Sequence, residues 1–257
     1  MHILFIGYGK TSQRAAKLLF EQGHQITTIS QSLKTDVYAN HLIQDVQRLD
    51  LSDIAPVDIA YVLLSPNVST IEAYQQTYVD SVKPIVQALK DHPIQRLIVV
   101  SSTRVYGENA GEYVDDDTVP NPSDVQGNLL LGMEQLYQQY LDQACVIVRP
   151  TGIYSGSSAR MQKLAAHTTS YPTIQWSNRI HIDDLARFLV HLLHVEHPEK
   201  SYICTNNQPQ SLHERILKIQ RSLNLAELVL ESERETGKRI YATRMKAIGF
   251  RLIHDEL

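Results

Sequence analysis

The sequence predicts an α/β fold in which a parallel sheet is covered by helices on both faces. Short β-rich apolar runs alternate with helix-length amphipathic segments as far as Pro150. The run "VDIAYVLLS" (57–65) is apolar throughout, as a strand buried on both faces must be.

The first strand is "ILFIG" (3–7), followed by a helix from about Thr11 to Gln22 with Ala15, Leu18 and Leu19 on one face. Gly23 ends it, "HQITTIS" (24–30) reads as the second strand, and "HLIQD" (41–45) as a short third. After the fourth strand (57–65) a helical region spans about 68–90, and Pro84 inside it predicts a kink or two helices meeting. "RLIVVSS" (96–102) is the fifth strand, 125–142 a helix, and "CVIVR" (145–149) the sixth strand. Between them 107–124 is a long, acidic loop rich in turn formers, either an ordered flap near the site or a solvated loop. Past Pro150 the alternation weakens. "RIHIDDLARFLVHLL" predicts a strand turning into a helix with Asp183 or Asp184 as cap and first-turn acid, "SYICT" (201–205) one more strand, and 211–223 and 241–248 helices.

Composition excludes several classes. A net charge of −4 without a Lys/Arg cluster argues against a nucleic-acid surface, and no apolar run reaches the ~18 residues of a membrane span. The strand-like start "HILFIG" predicts no signal peptide, so the terminal "HDEL" is expected to be coincidence rather than a retention address. Cys145 and Cys204 form no CxxC pair, and a reducing cytoplasm fits them best.

The turn after the first strand reads G-x-G-x-x-S, with Gly7, Gly9 and Ser12. In a dinucleotide-binding loop the first Gly makes a tight turn and the second lets the backbone approach a pyrophosphate. The following helix, from Lys10, Thr11 and Ser12, supplies free N–H groups. Ser12 stands where the third Gly would allow close helix–strand packing. NAD specificity normally places an acid at the end of the second strand, yet "TISQSLK" has none before Asp36. Ser30, Gln31, Ser32 and Lys34, with Lys10, favour a 2′-phosphate and therefore NADP(H) over NAD(H).

The motif order resembles the extended short-chain dehydrogenase/reductase superfamily, specifically the NAD-dependent (sugar-nucleotide) epimerase/dehydratase family and its small atypical branch. The strings "FIGYGKTSQ", "VVSSTRVYG", "VRPTGIYSG" and "RIHIDDLA" carry the resemblance in order, and "GKRI…MKAIGF" resembles the closing segment. It implies a Rossmann-type doubly wound parallel sheet, 1–152 with elements from 178–205, and a small C-terminal α/β substrate lobe over 153–257. It also implies Asp45 at the adenine, Leu64, Ser65 and Pro66 beside the ribose, Ser101 and Pro150 near the cofactor, and Ser102 as the catalytic hydroxyl. By analogy a homodimer would form through the long helices.

Family enzymes carry Tyr-x-x-x-Lys on the helix after the acidic loop, where the Lys cation lowers the Tyr pKa for proton transfer. Anchored on Glu134, these positions are Gln126 and Leu130, and no Lys or Tyr occurs between Pro122 and Tyr137. Three readings remain open. One is an enzyme that uses another acid/base, nearest Tyr106 beside Ser102, Thr103 and Arg104, although packing of the strand–loop corner suits Tyr106 better. The chain could instead be a catalytically silent NAD(P)-sensing module, or an enzyme completed by its substrate. Arg149 meets a substrate phosphate or carboxylate, or is tied to backbone or to an acid near the site. His191 and His194 read as helix surface, His181 as a loop-ordering hydrogen bonder, and no metal site is expected. The expected partners are thus a dinucleotide and a small polar metabolite.

Overall fold

The computed structural model describes residues 1–156 and 159–254, so the last three residues of "HDEL" lie outside it. Seven strands form the main sheet: β1 (His2–Ile6), β2 (Gln25–Ser30), β3 (Asn40–Ile43), β4 (Ile59–Val62), β5 (Arg96–Val100), β6 (Cys145–Pro150) and β7 (Ser201–Cys204). Their spatial order is β3-β2-β1-β4-β5-β6-β7 and every pairing is parallel. The order reverses beside β1, and the crevice at the carboxyl ends of β1 and β4 is where such sheets take ligands.

Helices cover both faces because the strands are apolar on both: β1, β4 and β6 are buried throughout. Helix α1 (Lys10–Glu21) buries Ser12, Ala15, Ala16 and Leu19. Phe5 and Tyr61 stack at 4.8 Å in the core, and the buried Tyr61 hydroxyl donates to the Leu189 carbonyl at 3.0 Å. A buried phenol costs stability unless it is partnered in this way.

The region after β4 departs from a simple kink at proline. Thr70 caps a turn over Ile71–Tyr74 by accepting from the Ala73 N–H, and a π-helical turn, Gln75–Val79, follows. Helix α2 (Val82–Leu89) then starts afresh. The break precedes Pro84 because Pro84 falls in the first turn of α2, where its missing N–H costs nothing.

Helix α3 (Val125–Leu141) is capped by Asp124, whose side chain accepts from Gly127 N–H at 2.7 Å. Helices α4 (Ala159–His167), α5 (Ile182–His191) and α6 (Leu212–Ser222) complete the main set. A second sheet runs in the order Gln210–Ser211, Ile174–Ser177, Glu235–Ile240, Ala110–Val114. The segment expected as pure loop therefore contributes a strand, Ala110–Val114, paired with Glu235–Ile240. Asp116 pins the same loop: buried, it accepts from Ile203 N–H, Thr243 Oγ1 and Arg244 N–H. A small separate core of Ala165, Ile216 and Leu228 holds α4 against α6. No helix among the described residues is long and apolar enough to cross a membrane.

The cap of α5 differs from expectation. His181, not an aspartate, accepts from the Asp183 N–H at 3.3 Å, leaving Asp183 and Asp184 in the first turn. Buried Asp184 instead accepts from Ile253 and His254 N–H, both at 2.9 Å, and from Arg187. Burial and the stacked His254 ring, 3.8 Å away, hold the His181 pKa down against the pull of Asp183 and Asp184. As pH falls below about 6.5 the unfolded chain takes up a proton that folded His181 refuses, so stability declines there. The melting temperature is expected to drop between pH 7.5 and 5.5. His181→Asn, which retains a capping acceptor, is expected to flatten that slope.

Candidate functional site: the dinucleotide cleft and the end of strand β5

Gly7 has φ +92°, and a Cβ there would lie 2.2 Å from the Leu63 carbonyl oxygen, so only glycine makes this turn. Buried Ser12 donates to the Gly7 carbonyl at 2.7 Å and braces the loop from beneath. Gly9, the N-cap of α1, has no side-chain cap, no acid follows in the first turn, and a Cβ on it would meet nothing within 4 Å. Free N–H groups and open space at one helix end fit the pyrophosphate of a dinucleotide.

The loop opens into a cleft of about 470 Å³ at the switch point. Of the expected cofactor residues, Gly7, Gly9, Ser30, Gln31, Ser32, Lys34, Asp45, Leu64 and Ser65 line it. Lys10, Thr11, Ser12, Pro66, Ser101 and Pro150 do not. Ser12 lies under the loop, Ser101 Oγ is buried without a hydrogen-bond partner, and the Pro150 carbonyl accepts from Thr103 at 3.4 Å. Tyr8, Gln44, Gln76 and Thr77 are among the other residues of its walls. Gln76 and Thr77 reach it from the π-helical turn, which no sequence pattern announced. The end of β2 is Ser30, whose hydroxyl donates to the Ser32 carbonyl at 2.6 Å. No carboxylate occupies that place.

The hydroxyls after β5 have separate partners. Ser102 Oγ accepts from the Arg104 N–H at 3.1 Å and starts a 3₁₀ turn, Thr103–Val105. Thr103 is buried. Tyr106 is 1% exposed, and its hydroxyl accepts from Arg149 Nη1 at 2.8 Å. Burial pushes the Tyr106 pKa up, although Arg149 opposes the shift. Arg149 in turn is bound by Glu134, with Nη2 to Oε2 at 2.6 Å and Nε to Oε1 at 3.1 Å. Arg149 thus meets a nearby acid, and Tyr106 sits in the packed strand–loop corner.

On α3 the two positions of the absent pair offer no proton. Leu130 is 2% exposed in the core, and the Gln126 amide lies 3.5 Å from the Ser69 carbonyl. A Cβ on Gly127 would lie 2.8 Å from the Arg104 carbonyl oxygen, so α3 presses directly on the hydroxyl loop.

A second cleft, about 870 Å³, lies beside α4 and is bordered by Tyr154, Lys163, His167, Asn178 and Arg179. Beside it, burial and the Arg179 charge bring the Arg215 pKa down to about 10, and Arg215 Nη1 is buried without a partner. Trp176 lies beneath Arg239, 5.0 Å from the guanidinium, and His191 bonds the Ile248 carbonyl.

No protein-family model matches the chain, and no curated protein does. Solved structures do. A protein of Methylobacillus flagellatus described as an NAD-dependent epimerase/dehydratase superposes with TM-score 0.80 at 28% identity, covering 99% of this chain and 94% of its own. UDP-glucuronic acid 4-epimerase of Bacillus cereus in complex with NAD shares the fold at TM-score 0.78 and 18% identity, over 98% of this chain and 94% of the other. MoeE5 in complex with UDP-glucose and NAD does so at TM-score 0.78 and 17% identity, over 99% and 95%. Strand order and glycine loop match a Rossmann-type dinucleotide-binding fold, and the solved structures that share it include an NAD-dependent epimerase/dehydratase and a UDP-glucuronic acid 4-epimerase.

Proposed function

We propose that the chain binds a nicotinamide dinucleotide, NADP(H) in preference to NAD(H), and acts as an oxidoreductase or epimerase on a nucleotide sugar or similar polar metabolite. The observation that carries this is the open space at Gly9 above an uncapped helix end, leading into a cleft that ends at Ser30 and Lys34. The α1 N–H groups would hold the pyrophosphate, and Lys34 with Ser30 and Ser32 would hold a 2′-phosphate. The dinucleotide, when bound, supplies the acceptor or donor of hydride. Arg215, whose Nη1 is buried without a partner, suits a phosphate of a nucleotide sugar, the ligand class bound by MoeE5 in its complex with UDP-glucose. A cytoplasmic setting fits two buried free thiols.

A second reading, a silent NAD(P)-sensing module, is favoured by the loss of acid/base groups at Gln126 and Leu130 and by the sealed Tyr106. Titration with NADPH and, separately, NADH, followed by cofactor fluorescence, tests the first reading. NADPH is expected to bind more tightly, and Lys34→Met to weaken NADPH about tenfold while sparing NADH. Absence of binding by either dinucleotide at millimolar concentration would overturn it. Binding of NADPH without turnover of any UDP-sugar offered with NADP⁺ would favour the sensing module.

A further inference from the structure

The helix position that lacks a lysine is not the only route by which a cation can reach the end of β5. Lys238, on the lobe strand Glu235–Ile240, donates to the main-chain carbonyl of Tyr106. It borders a recess of about 480 Å³ that Ser102 and Glu108 also line. Ser102 Oγ accepts from Arg104 N–H and keeps its own proton to donate. Glu108 has one carboxylate oxygen, Oε2, buried with no hydrogen-bond partner. The recess is built by close approach. A Cβ on Gly107 would lie 2.3 Å from the Asn121 carbonyl oxygen, and one on Gly237, at φ +72°, would lie 2.6 Å from that of Trp176.

The neighbouring acids are already committed. Asp124 accepts from Arg104 at 3.0 Å and caps α3, and Glu112 accepts from the Ala110 N–H at 2.7 Å. Of these acids only Glu108 has a buried oxygen without a hydrogen-bond partner among the described residues. A buried acceptor left unpaired costs free energy, and such groups persist where a ligand completes them. Burial lowers the Lys238 pKa, opposed by Glu108, Glu112 and Asp124.

We propose that this recess is the acid–base centre of the protein, with Glu108 exchanging the proton of a substrate hydroxyl while Lys238 and Ser102 hold the oxygen it leaves. The inference rests on the dinucleotide-dependent reading above. In the oxidative direction the substrate C–H bond releases its hydride to the oxidised dinucleotide, and the O–H bond releases its proton to the Glu108 carboxylate. The alcohol becomes a carbonyl, the dinucleotide is reduced, and Glu108 becomes a carboxylic acid. Charge developing on the substrate oxygen faces a partly desolvated ammonium and a hydroxyl donor, where electrostatic stabilisation is strongest. The cation thus enters from the lobe instead of from α3.

A plain strut between the lobe strand and the Tyr106 loop would behave differently. Competitive acetylation of the intact protein with acetic anhydride from pH 6 to 11, read by mass spectrometry at each lysine, separates the two. Lys238 is expected to react with a midpoint below the ordinary lysine value, and Glu108→Gln is expected to move that midpoint further down. A Lys238 that stays unreactive at every pH, or a midpoint indifferent to Glu108→Gln, overturns the proposal, whether or not any dinucleotide binds. Turnover supplies the second arm, with NADP⁺ and UDP-glucose or UDP-glucuronic acid as probes. Glu108→Gln is expected to lower kcat about a hundredfold while NADPH affinity and melting temperature hold. Glu108→Asp is expected to restore part of the rate. An unchanged kcat in Glu108→Gln overturns the proposal. Failure of the wild type to bind either dinucleotide strikes the functional reading instead, and the acetylation result still decides the recess.

Discussion

Glu134→Ala is expected to destabilise the fold by about 3–5 kcal/mol, the cost of leaving a buried charge without its partner. Glu134 is 1% exposed, and its carboxylate takes two donors of the Arg149 guanidinium while a third goes to the Tyr106 hydroxyl. Removing the acid strands Arg149 among β6, α3 and the hydroxyl loop, beyond the reach of bulk water. Urea unfolding followed by circular dichroism measures the loss. Glu134→Leu combined with Arg149→Met is expected to recover most of it, because a well-packed apolar pair avoids the desolvation of both ions. A Glu134→Ala change costing under about 1 kcal/mol would mean that water reaches Arg149.

The second large effect separates two glycines in one loop. Gly9→Ala is expected to leave the melting temperature nearly unchanged, since Gly9 has ordinary extended dihedrals and a Cβ there meets nothing within 4 Å. Dinucleotide affinity is expected to fall about tenfold or more, because the methyl takes the space a pyrophosphate needs. Gly7→Ala is expected to damage the fold itself, with a positive φ and a contact 2.2 Å from backbone oxygen that nothing flexible can relieve. Thermal melts beside NADPH titrations of both variants give the comparison. Equal loss of stability in the two would show that the cradle is filled by protein and not by ligand.

The main sheet was legible because parallel strands buried on both faces leave continuous apolar runs, and "ILFI", "IAYV" and "CVIV" announce themselves. The lobe sheet was not. "AGEYV" and "ETGKRI" carry glycine and charge without a period of two, and each is a strand only because the other lies beside it from a distant part of the chain. The α5 cap shows the limit of local rules. Asp183 and Asp184 have the preferred chemistry, yet one pairs with Arg14 at 2.5 Å and the other holds the C-terminal segment, leaving the cap to His181. Of the site, the glycine loop could be read from spacing, and the emptiness of Gln126 and Leu130 only from the family resemblance. Glu108 and Lys238 could not, because nothing in a sequence shows that two remote segments share a recess.

The position of β7 has a consequence for how the chain is made. β7 pairs with β6, yet α4, the strand Ile174–Ser177 and α5 intervene between them. A growing polypeptide that has completed β6 therefore carries an open parallel edge until residue 204 has emerged, while lobe segments are being threaded past it. Such an edge invites pairing with another chain. Cutting the gene after the sixth strand would make that interval permanent. Residues 201–204 of the main sheet itself, added only after the intervening segments, are what cover that edge in the finished chain.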